Sequence, residues 1–414
     1  MRHLKFSRVL AASAVLSGGL ATAWLIHDPT TAEAQPPADM LFQGQHEITA
    51  TTFGDPDGPG PRESGLERTP GELVVDFKDG TTPAQIREIG SKLGLDFKYN
   101  SRFSLGSALT RTSVSEDQMP TAIASLEQEA MVESVSPNYL FVAEPNGSEV
   151  AKGAAPQEGF PNDPMGPLQW HMDQVKAKQA WPVSTGKNVV VAVIDTGVAY
   201  KTWDKYTQGE DLDKTHFVPG WDFVHGRREA SDDQSHGTHV AGTIAQSTNN
   251  SKGVMGVAFE SSIMPVKVLS QRGSGSLADV ADGVRFSADH GARVINMSLG
   301  GPFADSTLGA AVRYAHNKGT VVVCAAGNSS KGKSGYPAGY PEAISVSATD
   351  FNEDLTWYTN YGPDIDIAAP GGDTRSDKNG DGHPDGVLQN TINMGDPTRQ
   401  GYQWYQGTSM ACPH

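Results

Sequence analysis

Three residues have the types that nucleophilic catalysis needs, and each stands where a fold could use it. Ser409 lies in GTSMA, at a strand-to-helix turn, where its own N–H faces a bound group and the helix start favours negative charge. A serine hydroxyl is a weak nucleophile at neutral pH and needs a base, a task suited to histidine. His236 in HGTHVAG falls near the start of a helix, with Gly237 and Gly242 permitting close packing. The base needs a carboxylate to orient it and to stabilise the imidazolium. Asp195 ends the apolar run VVVAVID, where an unpaired carboxylate would be costly to bury. Alone, Asp195 reads better as a turn or helix-capping residue.

These side chains need a scaffold. From Asp163 onward, NVVVAVI, IMPVKVL, RVINMSL, TVVVCAA and AISVSA are nearly continuous apolar runs, the pattern of strands buried on both faces. SLADVADGVRFSADHGA and DSTLGAAVRYAHNKG read as intervening helices. The pattern predicts an α/β domain with a three-layer, mainly parallel sheet, whose functional groups gather at the carboxyl ends of the strands. Upstream, ELVVDF reads as a strand, and Thr82-Pro83 opens a helix with Ile86, Ile89 and Leu93 on one face. DFKYNSRF and SALTRTSV look strand-like, a second helix carries Ile123 and Leu126, and VESVSPNYLFV closes the unit as a strand. This is a small α+β, split β-α-β unit.

VIDTGV, HGTHVAGTIA and GTSMACPH together resemble the three signatures of the subtilisin-like serine proteases, the subtilases, over about Asn162 to His414. The resemblance implies a peptidase in which Asp195 orients, His236 is the base and Ser409 attacks. It also implies that Asn328 of VVVCAAGN donates to the oxyanion beside the Ser409 N–H, although alone Asn328 reads as a turn residue. Gly273-Ser274-Gly275 and Ser298-Leu299-Gly300 match segments that pair with an extended peptide. Gly335 matches the floor of the primary specificity pocket, and the room it leaves suits a large apolar or aromatic side chain before the cut.

Calcium (Ca2+) is the expected structural ion. Asp163, Asp211 and the loop Ser247–Val254 resemble a tight family site, with the Asn250 side chain and the Ser247, Lys252 and Val254 carbonyls as further ligands. A second family site is not expected, because His225 and Arg227 stand near Asp222 where carboxylates belong. Within SDKNGDGHPDG, the spacing of Asp377, Asn379, Asp381 and Asp385 around Gly382 resembles an EF-hand-type loop. It departs from that pattern at Leu388, which stands in place of the last glutamate.

Residues 70–145 resemble the subtilisin propeptide and inhibitor family, with its ferredoxin-like topology. The expected organisation is signal peptide 1–34, linker 35–69, inhibitory propeptide 70–145, processing linker 146–161 and peptidase domain 162–414. The basic start with Arg2, Lys5 and Arg8, the apolar stretch Val9–Ile26 and two A-x-A exits carry the signal-peptide reading, and with it secretion and no membrane attachment after cleavage. The expected partners are protein or peptide substrates and the chain's own propeptide in cis. A net charge of −16 argues against nucleic acid and anionic membranes. Cys324 and Cys412 read as two small buried residues rather than as a disulfide.

Two other classes fit parts of the pattern. His236 and His239, with Asp195, could hold zinc, but that leaves GTSMA and AAGN without a role. A propeptide-like inhibitor or folding helper attached to an inactive protease is the other. Subtilases continue past the serine with a long central helix, whereas this sequence reaches only His414. The resemblance therefore implies a piece of a longer protein, with a 414-residue chain that folds poorly and cleaves little.

Overall fold

A computed structural model describes residues 67–143, 146–150 and 160–414. The expected signal peptide and nearly all of the first linker lie outside the described residues. The N-terminal unit contains β1 (Arg68–Phe77), α1 (Pro83–Leu93), β2 (Lys98–Tyr99), α2 (Ser104–Ser107), β3 (Leu109–Ser113), α3 (Met119–Leu126) and β4 (Val132–Val142). Its strand order is β4-β1-β3-β2, with β1 antiparallel to both β3 and β4. This is the split β-α-β arrangement read from the sequence. Thr82 caps α1 through a box with Gln85, with Pro83 in the first turn. The DFKYNSRF stretch contributes only two strand residues, and the start of SALTRTSV is helical. Ser104 Oγ there accepts the Ser101 N–H and closes a turn instead of a ladder.

Alternation along β1 sorts the contacts of this unit. Leu73, Val75 and Phe77 pack on Ile86, Ile89 and Leu126 in the unit's own core. Val74, pointing the other way, joins the core of the following domain together with Leu109.

That domain follows a short strand, β5 (Asn146–Val150), which lies within the expected processing linker. Beyond residue 160 come α4 (Trp170–Gln174), α5 (Ala177–Ala180), β6 (Val190–Asp195), β7 (His216–Phe217), β8 (Trp221–Asp222), α6 (His236–Ala245) and β9 (Ser262–Lys267). Then follow β10 (Ser274–Ser276), α7 (Leu277–Asp289), β11 (Val294–Met297), α8 (Ser306–Asn317), β12 (Val321–Ala325), β13 (Ala343–Thr349) and β14 (Ile367–Pro370). The last elements are β15 (Val387–Asn393), β16 (Asp396–Gln406) and α9 (Thr408–Ala411).

The main sheet runs β14-β13-β12-β11-β6-β9-β7, with β8 also on β9, and all of its pairs are parallel. The chain passes from β6 to β9 on one side and then crosses to β11 on the other. β6 is thus the switch strand, and its carboxyl end opens at the crevice where open α/β sheets place their sites. One face carries α7 and α8, where Ala278, Ala281, Leu308 and Ala311 meet Ile194, Val266 and Met297. On the other face α6 packs with the β15–β16 hairpin, through Val240, Ile244 and the buried Tyr405. The hairpin's outer edge also offers unpaired backbone groups, and β5 pairs there with β16. Such an edge strand cannot be read from the small and polar residues of NGSEV.

The N-terminal unit docks on α7 and α8. Phe103 meets Trp221, Phe223 and Phe286 edge-on, with centroids 4.8–5.9 Å apart. Asp282 on α7 accepts from Ser104 Oγ at 2.6 Å and Asn100 Nδ2 at 2.8 Å, and Arg285 pairs with Asp76 at 3.3 Å. Truncating Phe103 to alanine removes the apolar centre of this contact. In a Ser409→Ala background, Phe103→Ala should weaken docking by roughly 2–3 kcal/mol, seen as earlier thermal release of the N-terminal unit and faster cleavage of that unit by an added protease.

Candidate active site

The site grows from the end of β6. Asp195 and His236 are both fully buried, and Asp195 Oδ1 lies 2.8 Å from His236 Nδ1. The same oxygen accepts the Thr196 N–H at 2.7 Å. His236 is the first residue of α6, so the carboxylate faces a helix N-terminus as well as the ring. Gly237 makes the approach possible, since a Cβ there would collide with the Gly197 carbonyl oxygen and crowd Asp195. His236 Nε2 faces a buried space without a hydrogen-bond partner.

A buried network holds the helix start in place. Asp232 Oδ1 accepts from Thr196 Oγ1 and from the Gln234 and Ser235 N–H groups, and its Oδ2 accepts from Thr238 N and Oγ1, all at 2.6–3.1 Å. These bonds hold Ser235 at φ 120°, a backbone conformation that a serine seldom adopts. Burial raises the Asp232 carboxyl above its usual range, against the donors that stabilise its charge. Beside it, fully buried Lys267 on β9 donates to the Thr196 and Leu269 carbonyls and pairs with Asp233 at 2.8 Å. Burial pulls the Lys267 ammonium down, but Asp233, Asp222 and Asp232 outweigh it and leave its pKa raised. The sequence analysis missed this network. Its signal is a lysine inside the apolar run IMPVKVL and two adjacent aspartates before HGTH.

Ser409 lies in α9 and is 4 % exposed. Its Oγ donates to the Ser298 carbonyl at 3.0 Å, and Ser298 Oγ donates to the Ser409 carbonyl at 2.8 Å. The hydroxyl is therefore turned to Ser298 and not hydrogen-bonded to His236. Asn328 is fixed by its own oxygen, which accepts from Thr408 N at 2.9 Å and Thr408 Oγ1 at 2.8 Å. That leaves Nδ2 as its free donor. Asn328 and Ser409 line one cavity, which Gly335 and Leu299–Gly301 also bound. A Cβ at Gly335 would stand 3.3 Å from the Gly301 carbonyl oxygen, a crowded contact that glycine avoids.

A peptide already occupies the cleft beside this cavity, and it is the chain's own. β4 runs antiparallel to β10, pairing Ser274 with Val142, Gly275 with Phe141 and Ser276 with Leu140. On its other side Val142 exchanges both backbone bonds with Gly300, at 3.0 and 3.1 Å. Ala143 N–H donates to the Gly273 carbonyl at 2.9 Å. The two segments singled out in the sequence thus flank an extended strand.

The remaining candidates fall into two loops. Asp163 (1 % exposed) and Asp211 (0 %) are wrapped by residues 247–254: Asn249 and Asn250 N–H donate to Asp163, and Val254 N–H and Asn250 Nδ2 to Asp211. Ser247 N–H donates to the Asp211 carbonyl, and Lys252 N–H to Asn250 Oδ1. Burial pushes the Asp211 carboxyl up to about 8, with Asp163 and Asp213 adding to the rise. Two buried carboxylates held by amides but by no cationic side chain suit a hard cation. In the acidic loop, Asp377 accepts from Gly380, Asp381 and Gly382 N–H, and Asn379 and Asp381 from N–H groups two residues on. Asp385 is fully buried, and its Oδ1 has no partner. Among the described residues, no group of three or more His, Cys, Asp or Glu could hold a metal, and both loops depend on amide or carbonyl oxygens for further ligands.

Asp222 pairs with Arg227 Nε at 3.1 Å and also contacts His225 Nδ1 at 2.8 Å. His239 points away from Asp195: its Nε2 lies 3.1 Å from the Val387 and Gln403 carbonyls, and its ring stacks on Tyr405. Cys324 and Cys412 are buried free thiols, and burial pushes the Cys412 thiol up to about 12.

The family model for the subtilase family matches residues 186–414. Thermitase of Thermoactinomyces vulgaris is 40% identical over 255 residues, covering 61% of this chain and 82% of thermitase. A thermophilic serine proteinase of a Bacillus species is 35% identical over 352 residues, covering 83% of this chain and 75% of that protein. Among solved structures, a protease of Pseudoalteromonas arctica aligns with a TM-score of 0.55 at 35% identity, covering 62% of this chain and 84% of that one. Fervidolysin of Fervidobacterium pennivorans, a keratinolytic enzyme related to subtilisin, shares the fold with a TM-score of 0.64 at 24% identity, over 84% of this chain and 54% of that one.

The Lys267 network yields a stability prediction. Lys267→Met strands Asp233 as a buried charge and should cost roughly 3–5 kcal/mol, measured by denaturant unfolding. A loss below about 1 kcal/mol, the size of an exposed pair, would mean that the network does not hold the site.

Proposed function

The chain belongs to the subtilase family of serine endopeptidases, and we propose that it is a secreted protease made as a zymogen, in which Asp195, His236, Ser409 and Asn328 form the catalytic centre. One observation carries this reading. The buried Asp195–His236 pair, the Ser409–Asn328 cavity and a strand of the chain's own N-terminal unit meet at the carboxyl end of the switch strand.

The chemistry follows from the groups present. The Ser409 hydroxyl must rotate from the Ser298 carbonyl toward His236 Nε2, which is free to accept its proton. An incoming main-chain N–H competes for the same Ser298 carbonyl and favours that turn. As Ser409 Oγ bonds to the substrate carbonyl carbon, His236 takes the proton and Asp195 balances the imidazolium. The developing oxyanion is met by Asn328 Nδ2 and the Ser409 N–H. His236 then protonates the departing amine, and water repeats the steps on the acyl-enzyme. The Thr408 contacts to Asn328 fix the side chain's oxygen, so its amide nitrogen is the end that meets charge.

Docking of residues 70–143 on α7 and α8, with β4 between the two substrate-binding segments, supports reading residues 70–145 as an inhibitory propeptide. Residues 1–34 act as the signal peptide, residues 35–69 as a linker, and the processing cut falls in the segment that joins the propeptide to residues 162–414. Among the described residues, no helix is long and apolar enough to cross a membrane.

Calcium is the proposed structural ion. The Asp163, Asp211 and Asn250 side chains and the Ser247, Lys252 and Val254 carbonyls would hold it, and the Asp377–Asp385 loop would hold a second. Bound there, calcium supplies fixed positive charge to the buried carboxylates and ties their loops together.

Two outcomes test this reading. Ser409→Ala should abolish peptidase activity, and Asn328→Ala should lower kcat by roughly 100- to 1,000-fold with little change in KM, a range that comes from subtilisin itself. Steady-state kinetics on a peptide substrate reads both. The pH dependence of stability tests the metal. Asp211 holds its proton more tightly when folded (about 8) than its ordinary value of 3.8. Without calcium, stability should therefore be greatest below about pH 4 as far as this group is concerned, and should fall as pH rises toward 8. Calcium favours the ionised form, so the Tm rise on adding it should be larger at pH 8 than at pH 5. An equal rise at both would place the ion elsewhere.

A further inference from the structure

The cavity beside Ser409 receives the side chain that precedes the cut, and its lining has a chemistry that the floor glycine alone does not reveal. Leu299, Ala325 and Ala326 give it apolar walls, and Gly335 adds no side chain to fill it. Two lysines, Lys331 and Lys333, also belong to the lining, beside the neutral polar Ser329, Ser334 and Asn360, and no Asp or Glu is part of it. Both lysines are solvent-exposed, and neither has an ion-pair partner among the described residues. Asp364 accepts the Ser334 N–H at 2.8 Å and forms no ion pair with either lysine. In a chain with net charge −16, two uncompensated ammonium groups on the wall of one subsite form a local exception to the overall field.

We propose that this pocket selects acidic side chains, glutamate above all, as the residue before the scissile bond. The proposal rests on the reading of Ser409 as nucleophile and deepens it. A glutamate stem has the length to lie along the apolar walls while its carboxylate reaches the two ammonium groups at the mouth. Glutamine has the same shape without the charge, so the pair isolates the electrostatic contribution. An aromatic residue fits the floor but leaves both lysines unused.

The chain's own strand agrees. Val142 is held by Gly300 and Ala143 by Gly273, so the strand enters the cleft in a fixed register. In the sequence, the residue that follows Ala143 is Glu144. The segment that the protein lays in its own cleft therefore continues, one position beyond Ala143, with the residue type that the lysines would favour.

The test compares Phe-Val-Ala-X anilides, with X as Glu, Gln, Leu or Phe, on the processed enzyme at low salt. The glutamate substrate should exceed its glutamine counterpart by about tenfold in kcat/KM, the size expected of two solvent-exposed ion pairs together. The preference should shrink in high salt, where such pairs are screened. The double variant Lys331→Ser, Lys333→Ser should erase it, lowering kcat/KM for the glutamate substrate more than for the glutamine one. If glutamine equals or exceeds glutamate, or if the double variant leaves the preference intact, the proposal is overturned, while activity lost on Ser409→Ala still upholds the protease reading. A second measurement does not depend on catalysis and uses the Ser409→Ala variant, freed of its N-terminal unit by an added protease. This variant should bind the peptide acid Leu-Phe-Val-Ala-Glu several-fold more tightly than the same peptide ending in Gln. Equal affinity, or no binding by either, overturns the proposal. Absence of both cleavage and labelling of Ser409 identifies failure of the protease reading itself.

Discussion

Burial of the Asp195 carboxylate is the constraint on which the site depends. A charged group at the end of a central strand, with no exposure to water, requires donors fixed in place. The His236 ring and the Thr196 N–H provide them, and only if α6 begins within hydrogen-bond reach of β6. That requirement reaches outward. It demands glycine at 237, the unusual backbone at Ser235, and a second buried carboxylate, Asp232, to satisfy the first N–H groups of the helix. Lys267 then ties the following loop to β9 and balances Asp233. A pair of side chains suited to moving one proton is thus held by a surrounding set that moves none.

The cleft and the N-terminal unit are coupled by the same economy of backbone pairing. β10 and Gly300 each present unpaired backbone groups to the cleft, and β4 supplies the missing strand. β10 leads directly into α7, whose first turn is capped by Ser276. α7 in turn carries Asp282 and Arg285, which hold the N-terminal unit. One short segment therefore positions the extended peptide and also opens the helix on which the occupying domain docks.

Much of this was legible in the sequence. The apolar runs located the parallel strands because strands buried on both faces leave little else to write, and VESVSPNYLFV coincides with β4. Asp195, His236 and Ser409 stand out in the sequence at a strand end and at helix starts, whereas Asn328 stands out only through the family resemblance. What escaped depended on long-range partners. A lysine within an apolar strand gives no hint that Asp233 and two carbonyls await it. Residues 146–150 look like a linker because their pairing belongs to the edge of β16. Lys331 and Lys333 look like ordinary surface charges in the sequence, and only the fold makes them part of the lining of the Ser409 cavity. The rotation of the Ser409 hydroxyl toward Ser298 depends on tertiary position alone.

The account turns on His236 activating Ser409, and covalent labelling reads this most directly. Processed enzyme is treated with a fluorophosphonate across pH 5–9, and the modified residue is identified by mass spectrometry. The geometry predicts a single adduct on Ser409, reduced to background by His236→Ala in a protein that keeps its unfolding transition. Labelling of Ser409 at an undiminished rate in His236→Ala, or an adduct on another residue, would contradict it.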